Sequence, residues 1–405
     1  MHVLFIHQNF PAQFGHIAAY LARNKGFRCT FISQQTPGTA EGIERIQYHL
    51  RGGATERTHY SSRTFENAIW HSHGIYDALS LRPDVKPDLI VAHSGFLSTV
   101  LLRELYDCPI VNYFEYYYLT RGGDMDFRPD FPNPVANRLR ARIRNAHLLL
   151  DLEECDAGYS PTLWQRNLFP ATYHHKIRTI FDGIDTTLWR PQEGIPRQIG
   201  NLSIPEGMRV VTYVSRGLES IRGFDIFMKV AKRLCDLRND VIFVVVGEDR
   251  ICYGGDADFT GSSSFKQWVL AREDYDLSRF VFTGLLSTPQ LVDLFSLSDL
   301  HIYLTVPFVL SWSLMDALAC GVTVLCSDTP PVREMIQHEQ NGLLADFFDI
   351  DSFVDLAGKV LDTPGKYRPL GQAGVAFIRE KYSLDVSLPR MLQLYEDAVQ
   401  NRRGN

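Results

Sequence analysis

Two arginines and the start of one helix are the residues of this chain best suited to bind a phosphate-rich anion. Arg216 and Arg222 follow a predicted strand that ends at Ser215. Further along the chain, residues 305–328 read as a loop, an apolar helix that stops at Gly321, and a buried strand. The first turn of such a helix directs unpaired N–H groups toward the loop, and a guanidinium stays charged when buried and can donate two hydrogen bonds to one phosphate. Together these features predict a site for a diphosphate.

The same arginines also permit an ordinary explanation. An arginine in a loop is usually solvated or belongs to a weak surface ion pair. We favour the anion site because both arginines lie directly after the first strand of the second half of the chain, and because Gly223 follows them. Ligands of open parallel sheets bind outside the carboxyl ends of the strands, which is where this loop is expected to lie.

Alternating strands and helices in both halves of the chain are expected to position these residues. Short apolar runs alternate with helical segments, which predicts parallel sheets covered on both faces. The predicted strands are residues 3–7, 29–32, 89–92, 110–114, 157–160, 209–215, 241–247, 280–284, 300–304 and 322–326. The predicted helices are residues 13–24, 224–237, 288–297, 313–320 and 387–400. No pattern assigns residues 34–62 to an element.

Prolines and glycines between residues 189 and 205 divide the chain into two α/β halves of similar size. We predict a doubly wound domain over residues 1–190 and a second one over residues 191–385. The loops at the carboxyl ends of their strands are expected to meet at a cleft between the two domains.

Several motifs of the second half are similar to those of one enzyme family. Residues 305–328 resemble the signature of the retaining glycosyltransferases of family 4, in which E-x7-E is followed by a small-residue helix end and a V-x-V-x-x-S-D strand. Further motifs of this kind are Ser215-Arg216, Arg222-Gly223, Asp182-Gly-Ile-Asp185, Trp189-Arg-Pro191, Phe282-Thr-Gly284 and Asn341-Gly-Leu-Leu344. The first half matches the family mainly in its alternation of strands and helices.

The resemblance implies the GT-B fold, an α/β architecture of two Rossmann-like doubly wound domains that face each other across a cleft. In this fold the C-terminal helix, here within residues 386–405, crosses back to the first domain. The resemblance also implies a hexosyltransferase that moves a sugar from a nucleotide-diphosphate donor to a hydroxyl acceptor with retention of configuration, as in polysaccharide biosynthesis. The acceptor can be a glycan, a lipid-linked molecule or a small molecule, and no cofactor or metal ion is expected.

The resemblance assigns roles to residues of both halves. Arg216 and Arg222 are expected to bind the diphosphate, although the family more often has lysine at the second position. His93, just past a buried strand, is expected beside the reacting sugar. The remaining donor-site residues are Gly15, Leu310, Ser311, Trp312, Ser313 and Asp316.

Two roles for Asp316 stay open at this point. In the family, the matching acid contacts the ribose of the nucleotide. Ser313 and Asp316 also have the spacing of a capping box, in which the serine and the acid satisfy the first backbone N–H groups of a helix.

Phe308 departs from the family pattern, because it occupies the position of the first glutamate, which contacts hydroxyls of the donor sugar. A phenylalanine cannot accept those hydrogen bonds. Either Ser311 and the backbone of residues 309–312 hold the sugar, or the chain no longer transfers it. The alternatives to a transferase are therefore an epimerase or hydrolase of nucleotide sugars with the same fold, and a non-catalytic nucleotide-sugar binding protein.

The first half contributes candidates for the acceptor side. Glu115 follows another predicted strand and can accept a proton or orient the acceptor, and Tyr117 belongs to an aromatic cluster that can stack on sugars. Gly15 lies in a segment similar to the family's phosphate-side loop. The ordinary explanation for Glu115 is a core with one charged edge, and a lone histidine such as His93 is more often structural.

Composition excludes several classes of protein. The 405 residues have a formal net charge of −6, so the chain offers no general attraction to nucleic acid. Its seven cysteines form no C-x-x-C pair, which indicates neither a disulfide framework nor a zinc site. The chain starts with a strand-like run instead of a signal segment, and no apolar stretch reaches the roughly 20 residues that span a bilayer. We therefore expect a cytoplasmic protein.

Acidic pairs and one basic stretch leave further possibilities. The D-x-D pattern of metal-dependent transferases occurs at residues 124–126, 256–258 and 349–351, but so loose a pattern is expected by chance among 47 acidic residues. Glu334 resembles a family position near the nucleotide, although a glutamate at a helix start is also common for dipole reasons. Residues 137–150 are basic at alternate positions and then apolar, which fits either a solvated helix face or contact with the inner face of a membrane.

Overall fold

The computed structural model describes residues 1–199 and 202–404 of the chain. They form two compact units. The first comprises Met1–Met125, Asn133–Gly183 and the chain from Leu384 onward, and the second comprises Asp126–Pro132 and Ile184–Ser383. The chain therefore passes from one unit to the other four times. Gly200, in the predicted linker, lies outside the described residues.

The first unit contains a seven-stranded sheet whose strands all pair in parallel. Its strands are β1 (His2–Ile6), β2 (Arg28–Ser33), β3 (Ile43–Gln47), β4 (Leu89–His93), β5 (Ile110–Tyr113), β6 (Ala157–Ser160) and β7 (Ile177–Thr179). Their order across the sheet is β3-β2-β1-β4-β5-β6-β7. The carboxyl ends of β1, β4 and β5 therefore lie side by side at one edge.

The second unit contains a short antiparallel pair and a six-stranded parallel sheet. Its strands are β8 (Gln198–Ile199), β9 (Leu202–Ser203), β10 (Arg209–Gly217), β11 (Val241–Glu248), β12 (Phe280–Gly284), β13 (Leu300–Tyr303), β14 (Val324–Ser327) and β15 (Leu343–Ala345). The order in the large sheet is β12-β11-β10-β13-β14-β15. The strand order reverses between β10 and β13, and in open sheets the crevice at such a point binds ligands.

Helices cover both sheets. They are α1 (Gly15–Asn24), α2 (Arg63–Ser80), α3 (Val135–Arg144), α4 (Ala146–Glu154), α5 (Leu163–Leu168), α6 (Phe224–Leu237), α7 (Asp256–Thr260), α8 (Phe265–Leu270), α9 (Thr288–Leu297), α10 (Trp312–Ala319), α11 (Pro330–Arg333), α12 (Ile350–Asp362), α13 (Pro364–Lys381) and α14 (Leu384–Gly404).

Side chains of β1 show how the first sheet is buried on both faces. Val3 and Phe5 point to one face and pack in a cluster with residues of α1 and α14, including Leu21 and Tyr395. Leu4 and Ile6 point to the other face and pack in a second cluster with residues of α2 and α4. Successive residues of a strand alternate between faces, so a strand covered on both sides must be apolar throughout.

The predicted α/β class is confirmed, and several predicted elements have the observed bounds. Strands β6 and β12 and helices α6 and α9 agree with the predicted ranges at both ends. The strand predicted at residues 322–326 begins two residues later, at Val324. The sequence did not reveal β3, which lies in the unassigned segment 34–62, nor β7 and β15.

Among the helices within residues 1–199 and 202–404, none combines the length and the apolar character required to cross a lipid bilayer.

The backbone at Gly223 generates a prediction for stability. Gly223 has φ +63, and a Cβ atom there would lie 2.7 Å from the Cβ of Leu304, whereas Gly194 has φ +69 with open space around it. The left-handed backbone costs an L-residue about 1–2 kcal/mol at either position. We expect Gly223→Ala to lose about a further 1–3 kcal/mol through the steric clash, measured as a lower urea midpoint. Equal losses in Gly223→Ala and in the control Gly194→Ala would contradict the importance of this close approach.

Candidate active site

Arg222 lies in the loop between β10 and α6, within a 3-10 helix, Ser220–Arg222. Its side chain is buried, with 6% of its surface exposed. Nη1 donates hydrogen bonds to Thr305 Oγ1 and to the Val309 carbonyl oxygen, each over 2.9 Å. The guanidinium carbon also lies 5.5 Å from the ring centres of Tyr253 and Phe308. Arg222 therefore fixes the loop between β13 and α10, as well as being a candidate ligand for an anion.

Arg216 has different surroundings, because its side chain is exposed. A hydrogen bond with the Tyr253 hydroxyl raises the pKa of the Arg216 guanidinium. Tyr253 itself is held through its backbone by Glu219, whose Oε2 accepts from the N–H groups of Cys252, Tyr253 and Gly254 at 2.8–3.0 Å. Burial raises the pKa of Glu219. No local sequence pattern indicated this support, because the donors lie more than thirty residues from Glu219 in the chain.

The helix start predicted near Ser313 is observed, with Ser311 as the capping residue. Ser311 Oγ accepts from the Ser313 N–H at 3.3 Å, and the Ser311 N–H donates to the Tyr303 hydroxyl at 2.9 Å. Leu310 is buried and Trp312 is partly exposed. The prediction that Ser313 and Asp316 form a capping box is therefore wrong. The observed helix cap is Ser311, two residues earlier than that motif requires.

Asp316 lies inside α10, and its side chain is buried. Within the described part of the chain, no group donates a hydrogen bond to its carboxylate and no cation pairs with it. Burial raises the pKa of Asp316 well above its ordinary value. A buried carboxyl group without a protein partner is costly unless a ligand satisfies it, so the structure leaves Asp316 available for the ribose role.

Phe308 is buried, with 7% of its surface exposed, and its ring lies 5.5 Å from that of Tyr253. The position that is glutamate in the family therefore belongs to an aromatic pair beside Arg222.

In the first unit, His93 ends β4 and is almost fully buried. Its ring packs at 4.9 Å on Phe96 and lies 5.1 Å from the ring of His7. Neither ring nitrogen makes a hydrogen bond with a described residue, and Nε2 lies 3.6 Å from Glu115 Oε2. The chain turns closely over the ring, since a Cβ atom at Gly95 would lie 2.4 Å from His93 Cε1.

Asp151 of α4 supports the loop that follows His93. Its carboxylate accepts from the hydroxyl groups of Ser94, Ser98 and Thr99 and from the Thr99 N–H. Burial raises the pKa of Asp151 to about 6. A lone acid in a helix gives no sequence signal for this role, which only the fold reveals.

Of the two acceptor-side candidates, Glu115 lies close to His93. Glu115 is about one third exposed and is the nearest carboxylate to the His93 ring. Asp182 is fully buried. This burial and the nearby charge of Glu115 raise the pKa of the Asp182 carboxyl group well above its usual range. Tyr117 is half-buried and packs at 5.5 Å on Phe169, so one face of its ring belongs to the core.

Gly15 is the first residue of α1, and a Cβ atom there would lie 3.1 Å from Pro11. The structure therefore gives Gly15 a packing role at the carboxyl end of β1. The predicted residues divide between the two units: Gly15, His93, Glu115 and Tyr117 belong to the first, and Arg216, Arg222, Leu310, Ser311, Trp312, Ser313 and Asp316 belong to the second.

The acidic motifs have structural functions. Asp256 accepts from the N–H of Ser220, next to the Arg222 loop, at 2.8 Å, and Asp349 caps α12 by accepting from the Ser352 N–H. Glu334 follows the last residue of α11, so the interpretation of a glutamate at a helix start is wrong. Within residues 1–199 and 202–404, no group of three or more His, Cys, Asp and Glu side chains is arranged to hold a metal ion.

Comparisons with known proteins show the family to which the chain is similar. The model of the glycosyl transferase family 4 group matches residues 25–189, and that of the glycosyl transferases group 1 matches residues 195–376. D-inositol 3-phosphate glycosyltransferase of Corynebacterium jeikeium (strain K411) is 24% identical over 331 residues, which are 77% of this chain and 73% of that protein.

Solved structures share the fold at low identity. Sucrose-phosphate synthase from Thermosynechococcus elongatus has a TM-score of 0.73 with 16% identity, covering 98% of both chains. Anabaena HepE in complex with UDP-glucose has a TM-score of 0.68 with 13% identity, covering 98% of this chain and all of that one. These likenesses confirm the predicted GT-B fold.

Asp151 generates a prediction for pH dependence. Its carboxyl group keeps the proton up to about pH 6 in the folded protein and loses it near its ordinary pKa of 3.8 in the unfolded chain. The contribution of the protonated Asp151 carboxyl group to the stability of the folded protein is therefore fully present below about pH 3.8. It is lost as the pH rises through about 6. Between about pH 4 and pH 7 we expect the wild type to lose up to about 3 kcal/mol relative to Asp151→Asn, whose amide does not titrate. Urea unfolding at several pH values measures this difference, with the exposed Asp236→Asn as control; parallel curves for wild type and Asp151→Asn would contradict it.

Proposed function

Because the chain belongs to the glycosyltransferases of family 4, also described as glycosyl transferases group 1, we propose that it transfers a sugar from a nucleotide diphosphate to a hydroxyl acceptor. The likeness of its fold to a protein that binds UDP-glucose supports a nucleotide-sugar donor. The relative named as a D-inositol 3-phosphate glycosyltransferase supports a hydroxyl group as acceptor.

The observation that carries this proposal is the buried charge of Arg222. Within the described residues, no carboxylate lies within ion-pair distance of its guanidinium, whose close contacts are neutral oxygens and two aromatic rings. The buried carboxylate of Glu219 acts on it only from a longer distance. Arg128 of the same unit is buried to the same degree but pairs with Asp225 and Asp130 at 2.6–2.7 Å. A buried cation is costly unless an anion compensates it, and a diphosphate would supply that anion for Arg222.

The neighbouring groups suit the other parts of a nucleotide diphosphate. The side chain of Arg216 is exposed and can reach a second phosphate, and the positive end of the α10 dipole lies at the loop that Arg222 holds. The carboxyl group of Asp316, which no described group satisfies, can bind the ribose hydroxyls. The donor is therefore held at both its nucleoside and its phosphates.

Transfer proceeds by breaking the bond between the anomeric carbon and the diphosphate oxygen while the acceptor oxygen bonds to the same face of that carbon. The acceptor proton passes to the leaving phosphate oxygen, so the configuration is retained and no protein nucleophile is needed. Arg216 and Arg222 stabilise the charge that develops on the leaving group, for which one well-placed donor contributes roughly 3–4 kcal/mol. His93 binds a hydroxyl of the reacting sugar, and Glu115 orients the acceptor.

Phe308 defines what is unusual about the donor site. Its ring replaces a hydrogen-bonding carboxylate, so the sugar depends on Ser311 and the backbone of residues 309–312 for polar contacts. This change favours a donor sugar whose facing edge has fewer hydroxyl groups. An epimerase or hydrolase would consume the donor without an acceptor, and a binding protein would not consume it at all, so product analysis with and without an acceptor panel separates the three functions.

The proposed setting of the reaction is the cytoplasm. The seven cysteines are free thiols in this structure, and five of them are buried, which suits a reducing compartment.

Arg216→Ala provides the direct test of the donor site. Because Arg216 is exposed, its removal should leave the thermal midpoint of the free protein unchanged. A hydrogen bond from a charged group contributes about 1.5–3 kcal/mol, so we expect the Kd for the nucleotide sugar to rise about 10- to 150-fold. Calorimetric titration measures this, with donors chosen by screening common nucleotide sugars for thermal stabilisation. The control is Arg233→Ala on α6, which removes another exposed arginine. Unchanged affinity in Arg216→Ala would contradict the site.

Metal independence is a second consequence of this proposal. Two guanidinium groups neutralise the diphosphate, so turnover should continue after dialysis against EDTA and should not rise on addition of Mg²⁺ or Mn²⁺. Initial rates with and without chelator measure this. Loss of turnover that either metal restores would show that the arginines alone do not compensate the phosphate charge.

A further inference from the structure

Helices α3 and α4 expose an apolar stripe next to unpaired positive charges. Val135, Leu139 and Ile143 are 59%, 56% and 45% exposed, and their spacing of four residues places them in one row along α3. Leu149 and Leu150 of α4 are also exposed, at 37% and 41%. Exposed helix faces of water-soluble proteins are normally polar, so a row of this kind marks an interaction surface.

On α3, the charges beside this row are all positive. Helix α3 has arginine at positions 138, 140, 142 and 144 and no acidic residue, in a chain whose formal net charge is −6. Arg138 and Arg142 are exposed and pair with no carboxylate within the part of the chain that the structure describes. Arg140 instead donates to the Tyr60 hydroxyl, and Arg144 lies 3.9 Å over the Tyr118 ring.

We propose that the exposed face of α3 and α4, defined by Val135, Arg138, Leu139, Arg142 and Ile143, docks on an anionic lipid bilayer. A bilayer surface offers both components that this face lacks, an anionic headgroup layer for the two free guanidinium groups and an apolar layer directly beneath it. Nucleic acid would compensate the arginines but leave the apolar row in water. The charge complementarity therefore favours a lipid surface.

The same helices are fixed to the candidate site of the first unit. The side chain of Asn145, between α3 and α4, bonds both the N–H and the carbonyl oxygen of Tyr118 at 2.9 Å, and Arg144 covers the ring of that tyrosine. Tyr118 lies three residues after Glu115 in the chain, and Asp151 of α4 holds the loop that follows His93. Docking would therefore hold the acceptor-side loops at the lipid surface, which favours a lipid-linked acceptor; that extension rests on the proposed function.

Vesicle flotation of the full chain tests the docking face. We expect the wild type to float with vesicles of phosphatidylcholine and phosphatidylglycerol in about equal parts, and to stay behind with phosphatidylcholine alone. Each arginine near a lipid surface contributes about 1 kcal/mol, so Arg138→Gln/Arg142→Gln should lower the partition coefficient about 30-fold. Leu139→Ser/Ile143→Ser should lower it at least about 10-fold.

Matched controls change similar residues elsewhere. Arg23→Gln/Arg233→Gln removes two exposed charges, and Leu81→Ser/Leu237→Ser removes two exposed leucines. Both should bind vesicles like the wild type. No flotation of the wild type, equal flotation with neutral vesicles, or equal losses in the controls would overturn the proposal. A dimer in size-exclusion chromatography that Leu139→Ser/Ile143→Ser dissolves would assign the face to a second copy instead, and overturn it too.

The two proposals fail separately. Donor binding and transfer to a water-soluble acceptor should be unchanged in the α3 variants, because none of the substituted residues belongs to the candidate active site. If the wild type floats but transfers no sugar, the docking face stands and the proposed transfer falls. If it transfers sugar but does not float, the proposed transfer stands and the docking face falls.

Discussion

The second unit depends on how one buried guanidinium is satisfied. Arg222 enters the interior from the loop after β10 and finds its hydrogen-bond partners on the loop after β13, at Thr305 and Val309. These two strands are neighbours in the sheet although more than eighty residues separate them in the chain. The arginine thus fixes the segment that leads into α10, and no described carboxylate lies within ion-pair distance of its guanidinium. A buried cation that completes the protein's own loop and makes no ion pair combines a structural function with the capacity to bind an anionic ligand.

Buried carboxyl groups perform the corresponding task for the other loops. Asp151 gathers the hydroxyl groups after β4, Glu219 gathers the N–H groups of residues 252–254, and Asp256 binds Ser220. Burial raises the pKa of each of these acids, so each holds its loop at the cost of an unfavourable charge. Asp316 differs from them because no described donor faces its carboxylate. The acids that support loops thereby differ from Asp316, whose carboxylate accepts no hydrogen bond from the described residues.

Much of the fold could be predicted from the sequence, because its central strands are buried on both faces. Such strands must be apolar at every position, and helices α6 and α9 carry clear start and stop signals. Strand β3 could not be found because it lies at the edge of the sheet and carries polar residues such as Glu44 and Gln47. Sequence motifs named the candidate ligand-binding residues, which stay predictions, but no motif pointed to the residues that support them. Asp151 and Glu219 act across long sequence separations that no local pattern records. Ser311, the observed helix cap, also donates its N–H to the Tyr303 hydroxyl, a contact that the capping-box motif does not include.

The repeated passage of the chain between its units has a consequence for dissection by gene truncation. A shortened gene that ended after Gly183 would lack α14, whose Met391, Leu394 and Tyr395 belong to the core beneath β1. A gene that began at Ile184 would lack Arg128 and leave the Asp225 carboxylate buried without its cation. Neither polypeptide would contain a complete interior, so the two units have to be encoded together as one uninterrupted chain.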